Sequence, residues 1–120
     1  IQFTPHLVPV KRGILTTLYL APTDSFKNES EQAALAAIIS ACHAGAYENE
    51  PCIRLLPEGA LPDTNPVTHT TRPYLAWLLD PRTGRLIVMS AIDDLVKGAS
   101  GQAVQCLNAL KGWEETTGLI

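Results

Sequence analysis

The chain has 120 residues, of which 46% are apolar and 18% charged, with a formal net charge of −3. That length gives a single domain, residues 1–120, with room for a core and no need of disulfide staples, and the composition excludes intrinsic disorder. No basic stripe exists to neutralise a row of phosphates, which argues against nucleic acid, and no apolar run approaches the roughly 18 residues that cross a bilayer.

The first residues, Ile1-Gln2-Phe3-Thr4, carry neither an initiator Met nor the basic start of a secretory signal. The expectation is a processed or internal piece of a longer chain. Ile1–Val8 and Gly13–Leu20 read as two extended segments, with Pro5 and Pro9 breaking the first and Lys11-Arg12-Gly13 turning between them. The second segment is rich in β-branched and aromatic residues, and Pro22-Thr23-Asp24-Ser25 ends it.

Asn28-Glu29-Ser30-Glu31 supplies an N-cap and an acid three residues later, the start signal of a helix. Leu35, Ile38, Ile39, Cys42 and Ala46 then fall on one helical stripe that predicts a packed face. Cys52–Leu56 reads as a short strand and Pro57–Thr71 as a polar loop. Pro73–Leu79 and Arg85–Ile92 read as two strands joined by the turn residues Asp80-Pro81-Arg82-Thr83-Gly84. After the Lys97–Gly101 loop, Ala99, Ala103, Cys106, Leu107 and Leu110 form the stripe of a last helix, which Gly112 stops. The order β-β-α-β-β-β-α without βαβ crossovers predicts an α+β fold, a mainly antiparallel sheet with two helices packed on one face.

Metal chemistry is not indicated, because His6, His43 and His69 with the cysteines show no ligand spacing. The three cysteines, an odd number at irregular spacing, fit a reducing cytosolic or plastid-stromal setting. Cys42 and Cys106 lie on apolar stripes, and Cys52 begins a strand with no adjacent base, so no self-contained thiol catalyst is expected. Gly98-Ala99-Ser100-Gly101, between a strand and a helix, either packs closely or offers backbone N–H groups to an anionic or carbonyl oxygen. His6 reads as a core or interface histidine. Arg12 reads as a carboxylate or phosphate fork or as a surface charge.

Several runs resemble one family in a single order along nearly the whole chain. They are Phe3-Thr4-Pro5-His6-Leu7-Val8-Pro9 with Arg12-Gly13-Ile14-Leu15, Leu56-Pro57-Glu58-Gly59-Ala60-Leu61-Pro62, Asp80–Arg85 into Val88–Asp93, Gly101-Gln102-Ala103-Val104-Gln105 and Trp113–Leu119. They are similar to the C-terminal part of N-acetyl-γ-glutamyl-phosphate reductases, relatives of aspartate-semialdehyde dehydrogenase. The wording is closest to cyanobacterial and plant-like members.

The resemblance implies an enzyme that reduces an acyl phosphate to a semialdehyde with NADPH through a cysteine thioacyl intermediate. It also implies that the Rossmann half, the Gly-Cys-Tyr nucleophile and the His-x-His-x-Pro-Glu base lie upstream, since none of those motifs occurs here. This chain would then be the substrate and dimerisation domain, inactive alone. Its partners would be the Rossmann domain, a second subunit and a small acyl phosphate, and its location cytoplasmic or stromal. Asp94, Lys97, Gly98, Ser100 and Gly101 would face the cofactor, and His6 and Arg12 the substrate.

Two departures stand out. Asp94 replaces the usual Asn, whose amide contacts the nicotinamide carboxamide in related dehydrogenases, and Thr68–Arg72 replaces a Gly-(Ser/Thr)-Asn run. Both also fit an alternative, a free-standing, non-catalytic binding or assembly module descended from the family.

Overall fold

A computed structural model of the chain describes residues 1–23 and 28–120. In chain order the elements are β1 (Ile14–Leu20), α1 (Glu29–Tyr47), β2 (Arg54–Leu55), β3 (Tyr74–Leu79), β4 (Leu86–Ile92), a π-helical turn (Val96–Ser100) and α2 (Gly101–Lys111). The strands form one sheet in the order β1-β4-β3-β2. Pairing is antiparallel except between β2 and β3, which run parallel. The expected α+β architecture is present.

Local chemistry explains each boundary. Asn28 caps α1 through its side-chain oxygen, which accepts from Glu31 N at 2.9 Å. Asp80 organises the β3–β4 turn: its carboxylate accepts from Arg82 N at 3.0 Å and from the Thr83 hydroxyl at 2.6 Å, and Gly84 closes the turn at φ 69°. Gly112 ends α2 in the left-handed region, at φ 68°.

Three expectations are corrected. The segment Ile1–Val8 forms no strand; residues 1–10 are irregular and exposed, since Pro5 and Pro9 have no N–H for a ladder. The expected strand Cys52–Leu56 is reduced to Arg54–Leu55. The Lys97–Gly101 loop is helical, continuous with α2, and closed by Ser100 N donating to Leu95 O at 3.1 Å. The proposed stop for β1 includes Asp24 and Ser25, which lie outside the described residues.

The register places Leu15, Thr17, Tyr19, Ala76, Leu78, Ile87 and Met89 on one face of the sheet, and Leu18, Leu55, Leu75, Trp77 and Val88 on the other. Helix α1 lies against the second face at the β2–β3 end, where its small residues Ala36, Ala37, Ser40 and Ala44 leave a cavity of about 340 Å³. His43 sits there with its ring stacked on Trp77, centroids 5.9 Å apart, and its Nδ1 is 2.9 Å from Ile39 O.

Both helices turn differently from their stripes. In α1 only Ile39 is buried, while Ile38, Cys42 and Ala46 are exposed. In α2 the buried residues are Gly101 and Asn108, and the apolar stripe Ala103, Cys106, Leu107 and Leu110 faces solvent. Polar bonds fix α2 that way. Asn108 Nδ2 donates to Glu115 O and Thr117 O at 3.0 and 2.9 Å, and Gln105 bridges Lys97 Nζ and Glu115 Oε2.

Candidate functional site

Strand β4 ends in two acids, and they converge with the turn before β1. The Asp93 carboxylate is buried, 1% exposed. Its Oδ1 accepts from Leu95 N and Val96 N, each at 2.8 Å. Its Oδ2 accepts from His69 N at 2.6 Å and lies 2.7 Å from Arg12 Nε, an ion pair whose N–H is not aligned on the oxygen. Burial pushes this carboxyl up, but the amide of His69, the Arg12 guanidinium and the amides of Val96 and Leu95 outweigh it, and the pKa falls to about 2.

Asp94 makes the next link. Its Oδ1 accepts from Gly13 N at 2.6 Å. Gly13 adopts φ 105°, and a Cβ there would stand 2.7 Å from Thr64 Cβ, so the turn needs a residue without a side chain. The β1–β4 register, with Ile14 opposite Ile92, brings residues 12–13 beside 93–94.

The structure therefore brings Arg12 and Asp94 together and ties both to Asp93. Lys97 lies one turn on, its Nζ donating to Gln105 Oε1 at 2.5 Å. Gly98 and Ser100 are exposed, with Ser100 Oγ donating to Leu95 O at 2.8 Å. Gly101 is buried, and a Cβ on it would stand 2.7 Å from Val96 Cγ1 and 2.8 Å from Thr71 Cγ2; close packing explains this glycine. His6 lies in the exposed N-terminal arm, and no contact joins it to the others.

The backbone amides at this strand–helix junction are largely spent internally. Those of Leu95 and Val96 serve Asp93, that of Gly98 donates to Asp93 O at 2.9 Å, and those of Ser100 and Gly101 close the π-helical turn. Acceptor and donor capacity that remains is on side chains: the second oxygen of Asp94, the Nη groups of Arg12 and part of the Lys97 ammonium.

Sequence reasoning missed Asp93 and His69. The available signal for Asp93 was a charged residue at the end of an apolar strand, followed at once by a helical turn whose first amides need an acceptor. Cys52 is 1% exposed and burial raises its thiol pKa, so it is no activated nucleophile. Cys42 and Cys106 are exposed, not packed as their stripes predicted. Among the described residues no group of three or more His, Cys, Asp or Glu side chains is placed to hold a metal ion, and no helix is long and apolar enough to cross a membrane.

A mostly antiparallel sheet whose edge strand β1 is largely apolar and exposed along its whole length, with a polar cluster at its end, defines a module built to associate. The chain belongs to the semialdehyde dehydrogenase dimerisation-domain family, whose profile matches residues 1–94. It is 50% identical over 119 residues to the N-acetyl-γ-glutamyl-phosphate reductase of Cyanothece sp., 51% identical over 120 residues to that of Desulforudis audaxviator, and 48% identical over 119 residues to that of Synechocystis sp.. These alignments take in 99–100% of this chain and 32% of each relative. The chain thus spans about a third of the length of the curated relatives it matches.

Proposed function

We propose that this chain is the C-terminal, substrate-facing and subunit-joining part of an NADPH-dependent N-acetyl-γ-glutamyl-phosphate reductase of arginine biosynthesis, working in the cytoplasm or a plastid stroma. The observation that carries the reading is that half the residues are identical, over essentially the whole chain, to reductases of that name. On this reading the nucleophilic cysteine and the Rossmann fold belong to the two-thirds of the relatives that the chain does not cover, and the chain alone turns nothing over.

The geometry gives its residues distinct tasks. Arg12 spends Nε on Asp93 and keeps its Nη donors for an anionic oxygen of the acyl phosphate. Asp94 spends Oδ1 on Gly13 N and keeps an acceptor oxygen, which fits the amino end of a nicotinamide carboxamide but not its carbonyl. NADPH, when bound, supplies the hydride. Lys97, Gly98 and Ser100 border the same edge, and Gly101 serves it by letting α2 pack closely. His6 lies in an arm that reaches the substrate only when the rest of the protein orders it.

Two apolar surfaces await partners. The sheet face of Leu15, Tyr19, Ile87 and Met89 is apolar across β1 and β4, its one charged residue being Arg54 at the far β2 end, and fits face-to-face packing on a second subunit. The outward stripe of α2 lies beyond the 1–94 match to the dimerisation family; its place is against the Rossmann part of the same protein.

Joining the N-terminal two-thirds of the Cyanothece reductase to this chain tests the reading. The chimera should oxidise NADPH in the presence of N-acetyl-γ-glutamyl phosphate, and the 120-residue chain should not. A folded but inactive chimera would favour the non-catalytic module.

A further inference from the structure

Asp93 has no assigned task above, yet it is the one charged side chain among the described residues that is buried. Its oxygens collect groups from three stretches of chain: Arg12 from the turn before β1, His69 from the loop before β3, and Leu95 with Val96 from the turn after β4. An aspartate that only capped the helical turn would need Oδ1 for those two amides and would leave Oδ2 in water. Here Oδ2 is withdrawn from water and given to the His69 amide and the Arg12 charge, which together offset a carboxylate's desolvation. The pair Asp93-Asp94 also grips the pair Arg12-Gly13 in order, ion pair first and Gly13 N on Asp94 Oδ1 second.

We propose that Asp93 is a positioning residue whose single carboxylate fixes the Arg12 guanidinium and the backbone of residues 94–98 in one arrangement, so that the substrate fork and the cofactor edge are set by the same group. The proposal rests on the roles given to Arg12 and Asp94 in the proposed function. Because the ion pair is made at Nε, the guanidinium charge is held beside Asp93 Oδ2 while both Nη groups keep their donors. Because Oδ1 holds two successive amides, the turn that carries Asp94 and Lys97 cannot shift without breaking both.

The test compares Asp93→Asn, Arg12→Gln and the double variant in the full-length chimera. Each single variant should raise KM for the acyl phosphate on the order of tenfold with kcat changed far less, and the double variant should raise it no further. KM for NADPH should rise only where Asp93 is changed. An unchanged KM for both substrates in Asp93→Asn, or a double effect equal to the product of the singles, overturns the proposal.

Hydrogen exchange on the same proteins does not depend on activity. The His69, Leu95 and Val96 amides should exchange at least about tenfold faster in Asp93→Asn, while those of β4 keep their rates; unchanged rates overturn the proposal whatever the kinetics show. An inactive but folded chimera would sink the functional reading, and exchange alone would then decide on Asp93. If Asp93→Asn does not fold, Arg12→Gln takes its place: loss of the counter-charge should speed the same three amides selectively, and rates equal to wild type overturn the proposal.

Discussion

His69 donates its backbone N–H to Asp93 Oδ2 at 2.6 Å, and it does so from φ 64°, the one non-glycine residue in the left-handed region among those described. The bond and the strain belong together. Turning the amide of residue 69 back toward β4 requires the left-handed backbone, in which a side chain with a Cβ costs about 1–2 kcal/mol. Here a histidine is held in that conformation by the buried carboxylate.

Replacing that histidine by glycine should therefore raise stability. His69→Gly removes the Cβ conflict but adds freedom to the unfolded chain, for a net gain of about 0.5–1 kcal/mol. His69→Val adds a β-branch where the backbone tolerates none and should cost at least about 1 kcal/mol. Urea denaturation midpoints of the two variants against wild type check the order; a destabilised glycine variant would mean that the imidazole itself contributes to the loop.

Acid stability should carry the mark of Asp93. Its folded-state pKa, about 2, lies below the ordinary 3.8, so its bonds contribute fully above about pH 4 and are lost as pH falls through 2. Asp80 is also lowered, by the Thr83 hydroxyl and the Arg82 amide, but it is solvent-exposed and adds little. Thermal midpoints between pH 5 and 2 should fall more steeply for wild type than for Asp93→Asn, which starts lower and has no such carboxyl to protonate. Parallel curves would refute the assignment.

Two glycines inside helices should respond in opposite directions to alanine. At Gly45 a Cβ meets nothing within 4 Å, and Gly45→Ala should stabilise α1 by about 0.5–1 kcal/mol through helix propensity alone. At Gly101 the Cβ would stand under 3 Å from Val96 Cγ1, Thr71 Cγ2 and Val96 O. Gly101→Ala should destabilise by about 1–3 kcal/mol, because overpacking outweighs propensity. Chemical denaturation of both variants reads the sign directly.

The chain-order reading recovered the elements whose causes are local. The Asn28 cap, the Asp80–Gly84 turn and the uncharged run of β1 are written in adjacent residues, and the α+β class follows from them. It failed where a partner decides. Leu107 and Leu110 have the spacing of a core-facing stripe, but the bonds of Asn108 and Gln105 turn them outward. Periodicity reports that a face will be buried, not by what. The candidate site was half legible: Arg12 stood out as a fork or surface charge before a glycine turn and Asp94 through the resemblance, whereas Asp93 and His69 needed the three-dimensional meeting of residues 12, 69 and 93.

Self-association should depend on the sheet face rather than on the helices. Tyr19 is 65% exposed and Leu15 57% exposed, and the register puts both on the same apolar stretch as Ile87 and Met89, away from Arg54 at the β2 edge. A carboxylate at Leu15 would be buried unpaired in a face-to-face dimer at a cost of several kcal/mol, whereas in the monomer it meets water. Leu15→Asp should therefore shift the chimera from dimer to monomer in sedimentation equilibrium. Ile38→Asp, on the outer surface of α1, should not. Equal behaviour of the two would place the subunit contact elsewhere.

Thiol labelling separates the docking of α2 from the folding of the domain. In the 120-residue chain Cys42 and Cys106 are exposed and Cys52 is buried with its thiol pKa raised, so a disulfide reagent such as DTNB should react with two thiols at once and with the third only on unfolding. Cys106 shares its outward stripe with Leu107 and Leu110. If that stripe packs on the Rossmann part, Cys106 must lose its reactivity in the chimera, with no change in its own sequence surroundings. A Cys42→Ser, Cys52→Ala version leaves Cys106 as the only cysteine contributed by this chain, and mass spectrometry of the labelled peptide isolates it from those of the joined segment. Protection on the order of a hundredfold relative to the isolated chain is the expected result, since a buried apolar interface opens rarely. Cys106 labelled equally fast in both proteins would leave the α2 stripe without its partner and would refute its docking on the Rossmann part.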